Sequence, residues 1–504
     1  MAHYLNLADW AVIFLYLIGV IIFGLSFGKD QKNTRDYFLG SKNIPWWGVG
    51  LSIVATETSA LTFIGVPAMA FGIDGLSFIQ IIIGYVLARL VLAAIMVPRY
   101  FRGEIYSPYQ LMGDSFGPGA QRTAGFLFMI AGTLAAGVRV YVTCIPIKLM
   151  LDVDILPAIL LFVILSLIYT YIGGIKAVIW TDAVQFILLI GGGIITLVYI
   201  PSLIEGGWSG AFKEAAAADK LHWFNPHLSL SLPYSIWMGV IGATVQVMSS
   251  HGADQLIVQR VLTCKSEAEG KKALYFSAVI ILPMFLLFLL CGTMLWVYYQ
   301  HHAPAIPLPE SQAGFKQTDY IFPIFIISVI PNVLKGLIIV AILSAAMSSV
   351  SSTLSALASV STMDLVKPLT GGRKSEDWYF RFSKYSTIFW AVILILVAYL
   401  TRQATSVLNV AFSLNGLTSG AMLGGLLLVL MWKGGRSWPV VVGMLASLAT
   451  MIFISKFSWE VIEAGNAVKK TIGWPWYTLI GTTTCLLVAS VLRQLSGDKP
   501  ARES

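Results

Sequence analysis

The chain has 504 residues, of which 57% are hydrophobic and only 12% are charged. Soluble domains carry about 25% charged residues, so this composition excludes a soluble globular protein and predicts an integral membrane protein. Lipid offers no partner to a free backbone amide, so nearly all of the chain is predicted to be helical. The net charge of +8 comes from Lys and Arg between apolar runs, which indicates a topology signal and not nucleic-acid binding.

The apolar runs, taken in chain order, predict about thirteen transmembrane helices. They lie at 8–28, 46–70, 75–98, 122–150, 155–173, 179–202, 233–250, 273–299, 333–363, 379–401, 406–432, 437–455 and 472–494, with a short external helix at 322–330. The first run lacks a basic start and a cleavage site, so we expect a retained helix and not a signal peptide. Residues 1–504 are predicted to form a single transmembrane domain, since no stretch is typical of a separate soluble domain.

Lys and Arg are distributed unevenly between the two sets of loops. Most of the 33 lie in loops that are cytoplasmic if the N-terminus is outside. An odd number of spans agrees with termini on opposite sides, so the sequence predicts an N-out, C-in orientation. The four cysteines are far apart in the sequence, which predicts neither a disulfide framework nor a zinc site.

The segment 341–362 is an apolar helix with many hydroxyl groups. Ser344, Ser348, Ser352, Ser355 and Ser359 recur every three to four residues and therefore share one helical face. Small residues on one face allow close packing between membrane helices. Hydroxyls are also hard oxygen donors that can replace water around a cation. The segment alone favours packing and leaves the cation hypothesis open.

Ionisable residues inside the spans are costly and usually functional. Glu57 lies in IVATETSALTF, whose many Thr and Ser residues predict a broken helix with free carbonyls. Asp182 is expected at a depth in the bilayer similar to that of Ser351 and Ser352. Arg139 either binds an anionic substrate or neutralises Glu57, and Arg89 is interpreted as a structural partner or a residue that reaches the interface.

Four motifs together resemble the sodium/solute symporter family, in the order that this family has them. They are DYFLG at 36–40 followed by PWW at 45–47, IYTYIGGIKAVIWTDAVQ at 168–185, DQLIVQR at 254–260 and AAMSSVSSTLS at 345–355. The bacterial sodium-coupled sialic acid transporters are the most similar branch. The resemblance implies an all-α inverted-repeat transporter core, with an extra helix at 8–28, five-helix repeats at 46–202 and 233–432, and two final helices at 437–494.

The resemblance also implies sodium ligands. One Na⁺ would be bound by the carbonyls of Ala55, Thr58 and Ala345 and the hydroxyls of Ser348 and Ser349. The sialic acid branch implies a second Na⁺, bound by Asp182, Ser351 and Ser352 with the Ser348 carbonyl.

Substrate is expected between core helices 1, 2, 3, 6 and 10, as the resemblance implies. The candidate residues are Glu57, Ser59, Thr62, Phe78, Gln80, Arg139, Gln246 and Asn415. An arginine at the Arg139 motif position binds a substrate carboxylate in the sialic acid branch, and Phe78 could form an outer lid. Glu57 departs from that branch, which has a neutral hydroxyl residue there, so Glu57 is expected either to hold an ammonium or sugar hydroxyls or to pair with Arg139.

These features predict a sodium-coupled symporter, not an enzyme, in the cytoplasmic membrane. Its partners would be a small polar solute, such as a sialic acid or another organic acid, and the lipid bilayer, with no nucleic acid and no obligate protein partner. A sugar, polyol, amino-acid or vitamin symporter of the same fold remains an alternative, and a channel or a membrane sensor is a more distant one.

Overall fold

The computed structural model describes residues 4–72, 74–151, 153–232, 234–308, 317–401, 407–432, 434–463 and 466–497. In these ranges the chain forms twenty α-helices, so the predicted helical membrane protein is confirmed. The expectation of an all-α chain is wrong in one place. Strands β1, Ser458–Glu463, and β2, Asn466–Thr471, pair antiparallel between the last two long helices.

The first half of the chain contains ten helices. They are α1 Leu7–Leu25, α2 Thr34–Leu39, α3 Trp46–Glu57, α4 Ala60–Phe71, α5 Ile79–Ile95, α6 Val97–Tyr100, α7 Pro108–Phe116, α8 Pro118–Leu151, α9 Ile155–Tyr199 and α10 Gly207–Ala217.

The second half contains ten more. They are α11 Thr244–Gly252, α12 Gln255–Leu262, α13 Glu267–His301, α14 Ile321–Ser328, α15 Leu334–Val360, α16 Lys367–Leu369, α17 Glu376–Thr401, α18 Val407–Met431, α19 Ser437–Lys456 and α20 Pro475–Leu495. Wider π turns at Met238–Ala243 and Ser361–Val366 precede α11 and extend α15.

Eight helices in the described ranges are long and apolar enough to cross a membrane, and the count rises to nine if the bent pair α3–α4 is one span. The chain is therefore a polytopic membrane protein. Two predicted spans, 155–173 and 179–202, fall within α9, which consists of two helices that meet in a kink at Gly174, where φ is 55° and ψ is −154°. A Cβ there would lie 2.6 Å from the Tyr37 carbonyl, so only glycine fits this bend.

Asp9 determines where α15 begins. Asp9 belongs to the capping box at the start of α1, in which Asn6 accepts from the Asp9 amide at 2.9 Å. The Asp9 Oδ1 atom also accepts from the amides of Val333 and Gly336 at 2.7 and 3.1 Å. The carboxylate thereby satisfies free amides at the N-terminus of α15 and complements its dipole. This contact fixes the helix that carries the serines against α1.

Candidate functional site

The predicted break in the second apolar run is present. Helix α3 ends at Glu57, Thr58 is extended with φ −90° and ψ 91°, and Ser59 caps α4. The two halves are inclined by 59°. A helix end leaves carbonyls of its last turn without intrahelical partners, and such carbonyls are cation ligands. The predicted carbonyl ligands of Ala55 and Thr58 lie at this break.

Asp182 lies in the second half of α9 and is completely buried. The Ser52 hydroxyl on α3 donates to Oδ2 of Asp182 at 2.6 Å, and the Ser348 hydroxyl on α15 donates to Oδ1 at 2.7 Å. One carboxylate thus connects three helices. The sequence assigned the Ser348 hydroxyl to the first sodium site at the helix break, whereas in the structure it bonds to Asp182.

Arg260 is a member of this cluster that sequence reasoning missed. Its Nη2 atom lies 2.9 Å from Oδ2 of Asp182 and also contacts the Ser352 hydroxyl, while Nε donates to Ser52 Oγ at 2.8 Å. Arg260 is one of the basic residues between the apolar runs, where a loop was expected. The residue ends the DQLIVQR motif, and every residue of α12 is buried, so this helix lies inside the protein and not in solvent.

Three further hydroxyls of the serine segment bond to carbonyls of their own helix. Ser349 donates to the Ala345 carbonyl at 3.1 Å, and Ser351 and Ser352 donate to the Ser348 carbonyl at 3.1 and 2.6 Å. Such bonds use the hydroxyl hydrogen and leave oxygen lone pairs that can accept a cation, although the Ser352 oxygen already accepts from Arg260. The arrangement therefore fits close packing and cation binding equally well.

Glu57 forms an ion pair with Arg89. The hypothesis that Arg139 neutralises Glu57 is therefore wrong. The Nη2 atom of Arg89 contacts the Glu57 carboxylate and lies 3.1 Å from Nε2 of His251, and Arg89 Nε donates to Ser277 at 3.1 Å. His251 Nε2 is 3.6 Å from Glu57. Arg89 is completely buried, which agrees with its interpretation as a structural partner. His251 was not among the candidate site residues predicted from the sequence.

Arg139 lies on α8 and points toward α15. Its Nε donates to the Ala135 carbonyl at 3.3 Å, and among the described residues it forms no ion pair. It lines a cavity of about 10 Å³ together with Thr143 and Ser349 and with apolar side chains. Arg139 is therefore a half-buried cation without an ion-pair partner among the described residues.

Two substrate candidates on α5 and just before it contact the loop that follows α10 and the neighbouring aromatic residues. Gln80 is completely buried, with Nε2 donating to the Tyr234 carbonyl at 3.2 Å and Oε1 accepting from the Asn225 amide at 2.9 Å. The Phe78 ring packs 5.7 Å from that of Tyr234 and 5.3 Å from that of Phe285. In this arrangement Gln80 binds two positions of the loop that follows α10, and Phe78 lies in an aromatic cluster.

The remaining candidates lie on the helices that the resemblance implied. The Oε1 atom of Gln246, on α11, is buried and has no hydrogen-bond partner among the described residues. Ser59 is buried at the cap of α4, and Thr62 is partly exposed in its first turn. Asn415 lies on α18, and its side chain is outside the described residues.

The sequence of this chain is similar to those of known membrane transporters. Residues 37–446 match the sequence profile of the Sodium:solute symporter family. The chain belongs to this family. The sodium/sialic acid symporter SiaT of Proteus mirabilis is 32% identical over 461 residues, which cover 89% of this chain and 90% of that protein. The sodium/sialic acid symporter NanT of Aliivibrio fischeri is 28% identical, over 88% of this chain and 87% of its own.

A solved structure of a sodium-coupled sialic acid symporter, substrate-bound and outward-open, has the same fold. Its TM-score is 0.85 at 28% identity, and the match covers 98% of this chain and 100% of that one. The predicted resemblance is confirmed. This member of the family is a sodium-driven importer of a small solute and not an enzyme, and it resides in a membrane.

Proposed function

We propose that this symporter imports a sialic acid, or a related small carboxylate, across the cytoplasmic (inner) membrane together with two sodium ions. The observation that carries the substrate class is the pairing of charges in the site. Arg89 neutralises Glu57, while Arg139 has no ion-pair partner among the described residues. The negative charge of Glu57, which would repel an anionic substrate, is therefore compensated. The Arg139 guanidinium can then bind a substrate carboxylate through two parallel hydrogen bonds.

The size of the Arg139 cavity implies movement. A volume of about 10 Å³ holds roughly one water molecule and not a sugar acid. Substrate binding therefore needs the helices around Arg139 to separate. We infer that Gln246, Ser59, Thr62 and Asn415 contribute polar contacts in the opened site, and that Phe78 and Gln80 hold its external side closed.

The proposed first sodium ion lies between the break and α15. Its ligands are the carbonyls of Ala55, Thr58 and Ala345 and the hydroxyls of Ser348 and Ser349. Free carbonyls at a helix end and serine hydroxyls are both hard oxygen donors that suit Na⁺. Binding there would join the two halves of the broken span to α15 and complete the substrate site.

The proposed second sodium ion lies at Asp182, with Ser351, Ser352 and the Ser348 carbonyl. Arg260 binds Oδ2 of this carboxylate and contacts the Ser352 hydroxyl. A cation would therefore share Oδ1 with the Ser348 hydroxyl and use the remaining lone pairs of the serine oxygens. Since Ser348 bonds to Asp182, it couples the two sodium sites through one residue. With two Na⁺ and one monoanion, each cycle would carry one net positive charge inward, at about 2.3 kcal/mol per 100 mV.

The mechanism needs the topology that the family implies. We propose about thirteen spans, N-out and C-in, with five-helix repeats at 46–202 and 233–432 related by inversion, between the helix at 8–28 and those at 437–494. The two parts of α9, which meet at Gly174, would then supply two spans of the first repeat. Rocking of one repeat against the other would release sodium and substrate to the cytoplasm.

Uptake of sialic acid into proteoliposomes with an inward sodium gradient tests the proposal. We expect sodium-dependent accumulation in the parent protein and a KM at least about 30-fold higher in Arg139→Gln, because a buried charge pair contributes about 2 kcal/mol or more. The exposed Arg102, changed to Gln, is the control and should transport normally. Unaltered uptake in Arg139→Gln, or transport only of neutral sugars, would refute the carboxylate assignment.

A further inference from the structure

A groove of about 620 Å³ opens on the outer surface of the helices, and none of the proposed sodium or substrate ligands lines it. Its walls are formed by α8, α18 and α19, with Leu365 from the π turn that follows α15. The side chains in it are almost entirely apolar and include Phe126, Ile130 and Leu134 of α8, Leu417 of α18, and Leu445 and Leu448 of α19. This volume is within the range of ligand sites, about 300–1,000 Å³.

The groove has one cationic residue, and this residue lies at one end. Arg122 stands near the start of α8, and Leu134 lies three turns further along. Twelve residues of helix span about 18 Å, which is close to the roughly 15 Å of hydrocarbon in one leaflet. The groove is thus about as long as one acyl chain and is charged at the end where a headgroup would lie.

The charge at this end is available for a ligand. Arg122 is exposed, and among the described residues no carboxylate lies within ion-pair distance of it. No acidic residue lines the groove. The adjacent Gln121 points inward instead and donates to the Asp364 carboxylate at 2.9 Å. Among the described residues, the Arg122 end of the groove therefore carries a positive charge that no carboxylate neutralises.

We propose that this groove binds one acyl chain of an anionic phospholipid of the cytoplasmic leaflet, with the lipid phosphate on Arg122. The leaflet follows from the orientation proposed above. An arginine binds phosphate through charge-assisted hydrogen bonds, and the apolar walls bury the chain. A second copy of the protein fits the groove less well, because a twofold axis along the membrane normal would bring two Arg122 side chains together at one depth.

A lipid bound in the groove would stabilise the helices that form its walls. Its walls belong to α8, which carries Arg139, to the π turn that follows the serine-bearing helix α15, and to α18 and α19. A chain seated between these helices contacts all of them and stabilises the arrangement in which the groove is formed. Anionic lipid should therefore raise the unfolding temperature of the protein, independently of sodium and substrate.

Native mass spectrometry of the full-length protein in detergent, without sodium or sialic acid, tests the proposal separately from the transport function. The probes are phosphatidylglycerol and phosphatidylcholine of the same chains. We expect retention of phosphatidylglycerol to fall about fivefold in Arg122→Gln, as one cation at the surface implies, and to stay unchanged in the control Arg102→Gln. Equal losses in both variants would overturn the site.

A second pair of variants tests the apolar part. Leu445→Trp fills the groove from α19, whereas Leu487→Trp adds the same bulk to another exposed position, on α20, outside the groove. Only Leu445→Trp should abolish the rise in unfolding temperature with phosphatidylglycerol. An equal response of both variants to lipid, or a lipid-free dimer that Leu445→Trp disrupts, would refute the lipid as the occupant. Sodium-dependent uptake by the same preparations shows that each variant is folded.

Discussion

Asp182 and Arg260 form an ion pair of 2.9 Å in which neither side chain is exposed. Removing two charges from water costs several kcal/mol per ion, and the pair regains this only through good geometry and further hydrogen bonds. Ser52, Ser348 and Ser352 supply those bonds. The pair therefore connects α3, α9, α12 and α15 at the point where the second sodium ion is proposed.

Asp182→Asn tests the second sodium site. We expect the Hill coefficient for sodium in uptake assays to fall from about two toward one, since the coefficient cannot exceed the number of sites. The change also leaves the Arg260 charge buried and unpaired, so the free energy of unfolding should fall by about 3–5 kcal/mol. In Asp182→Asn with Arg260→Gln, stability should recover in part while the Hill coefficient stays near one. An unchanged sodium stoichiometry would remove this site.

The first sodium site is tested on the serine segment. Ser348→Ala with Ser349→Ala removes both hydroxyl ligands and should abolish sodium-driven uptake. The control is Ser359→Ala. Ser359 lies on the same helical face and only accepts a hydrogen bond from Gln255, so this variant should transport at nearly the parent rate. The measurement is initial uptake at saturating and at low sodium concentration. Normal uptake by the double variant would contradict the assignment.

The pair of Glu57 and Arg89 is accessible to a double-mutant cycle. Glu57→Gln should lower the free energy of unfolding by about 3–5 kcal/mol, because Arg89 would remain as a buried, unpaired charge. Adding Arg89→Met should recover part of this loss. The exposed pair of Asp377 and Arg381 on α17 is the control, and its coupling energy should be below about 1 kcal/mol. Additive effects of the two buried changes would show that they do not interact.

The bend in α9 is tested at Gly174. Alanine there would be held at φ 55° and would place its Cβ 2.6 Å from a backbone oxygen, so Gly174→Ala should destabilise by about 2 kcal/mol or more. Gly191 in the same helix has open space around it, and Gly191→Ala should be neutral or stabilise by up to about 1 kcal/mol. Chemical unfolding in detergent measures both. Similar values for the two variants would mean that the bend does not require glycine.

Several features were predictable because they depend on local chemistry. Apolar runs longer than a bilayer predicted the spans, and the Thr- and Ser-rich stretch around Glu57 predicted the break, since hydroxyls compete for helix carbonyls. The motifs predicted the family. The hairpin at Ser458–Thr471 was missed, because its strands are short and lie in a loop between two spans.

The partners of buried charges could not be predicted from the sequence. Arg260 lies 78 positions from Asp182, and Arg89 lies 32 from Glu57, so nothing in their local sequence links them. Composition determined that this chain spans a membrane, because transfer of side chains to lipid depends on residue type. Only the tertiary structure decided which arginine neutralises each of these two acids, because such pairing depends on how distant helices pack.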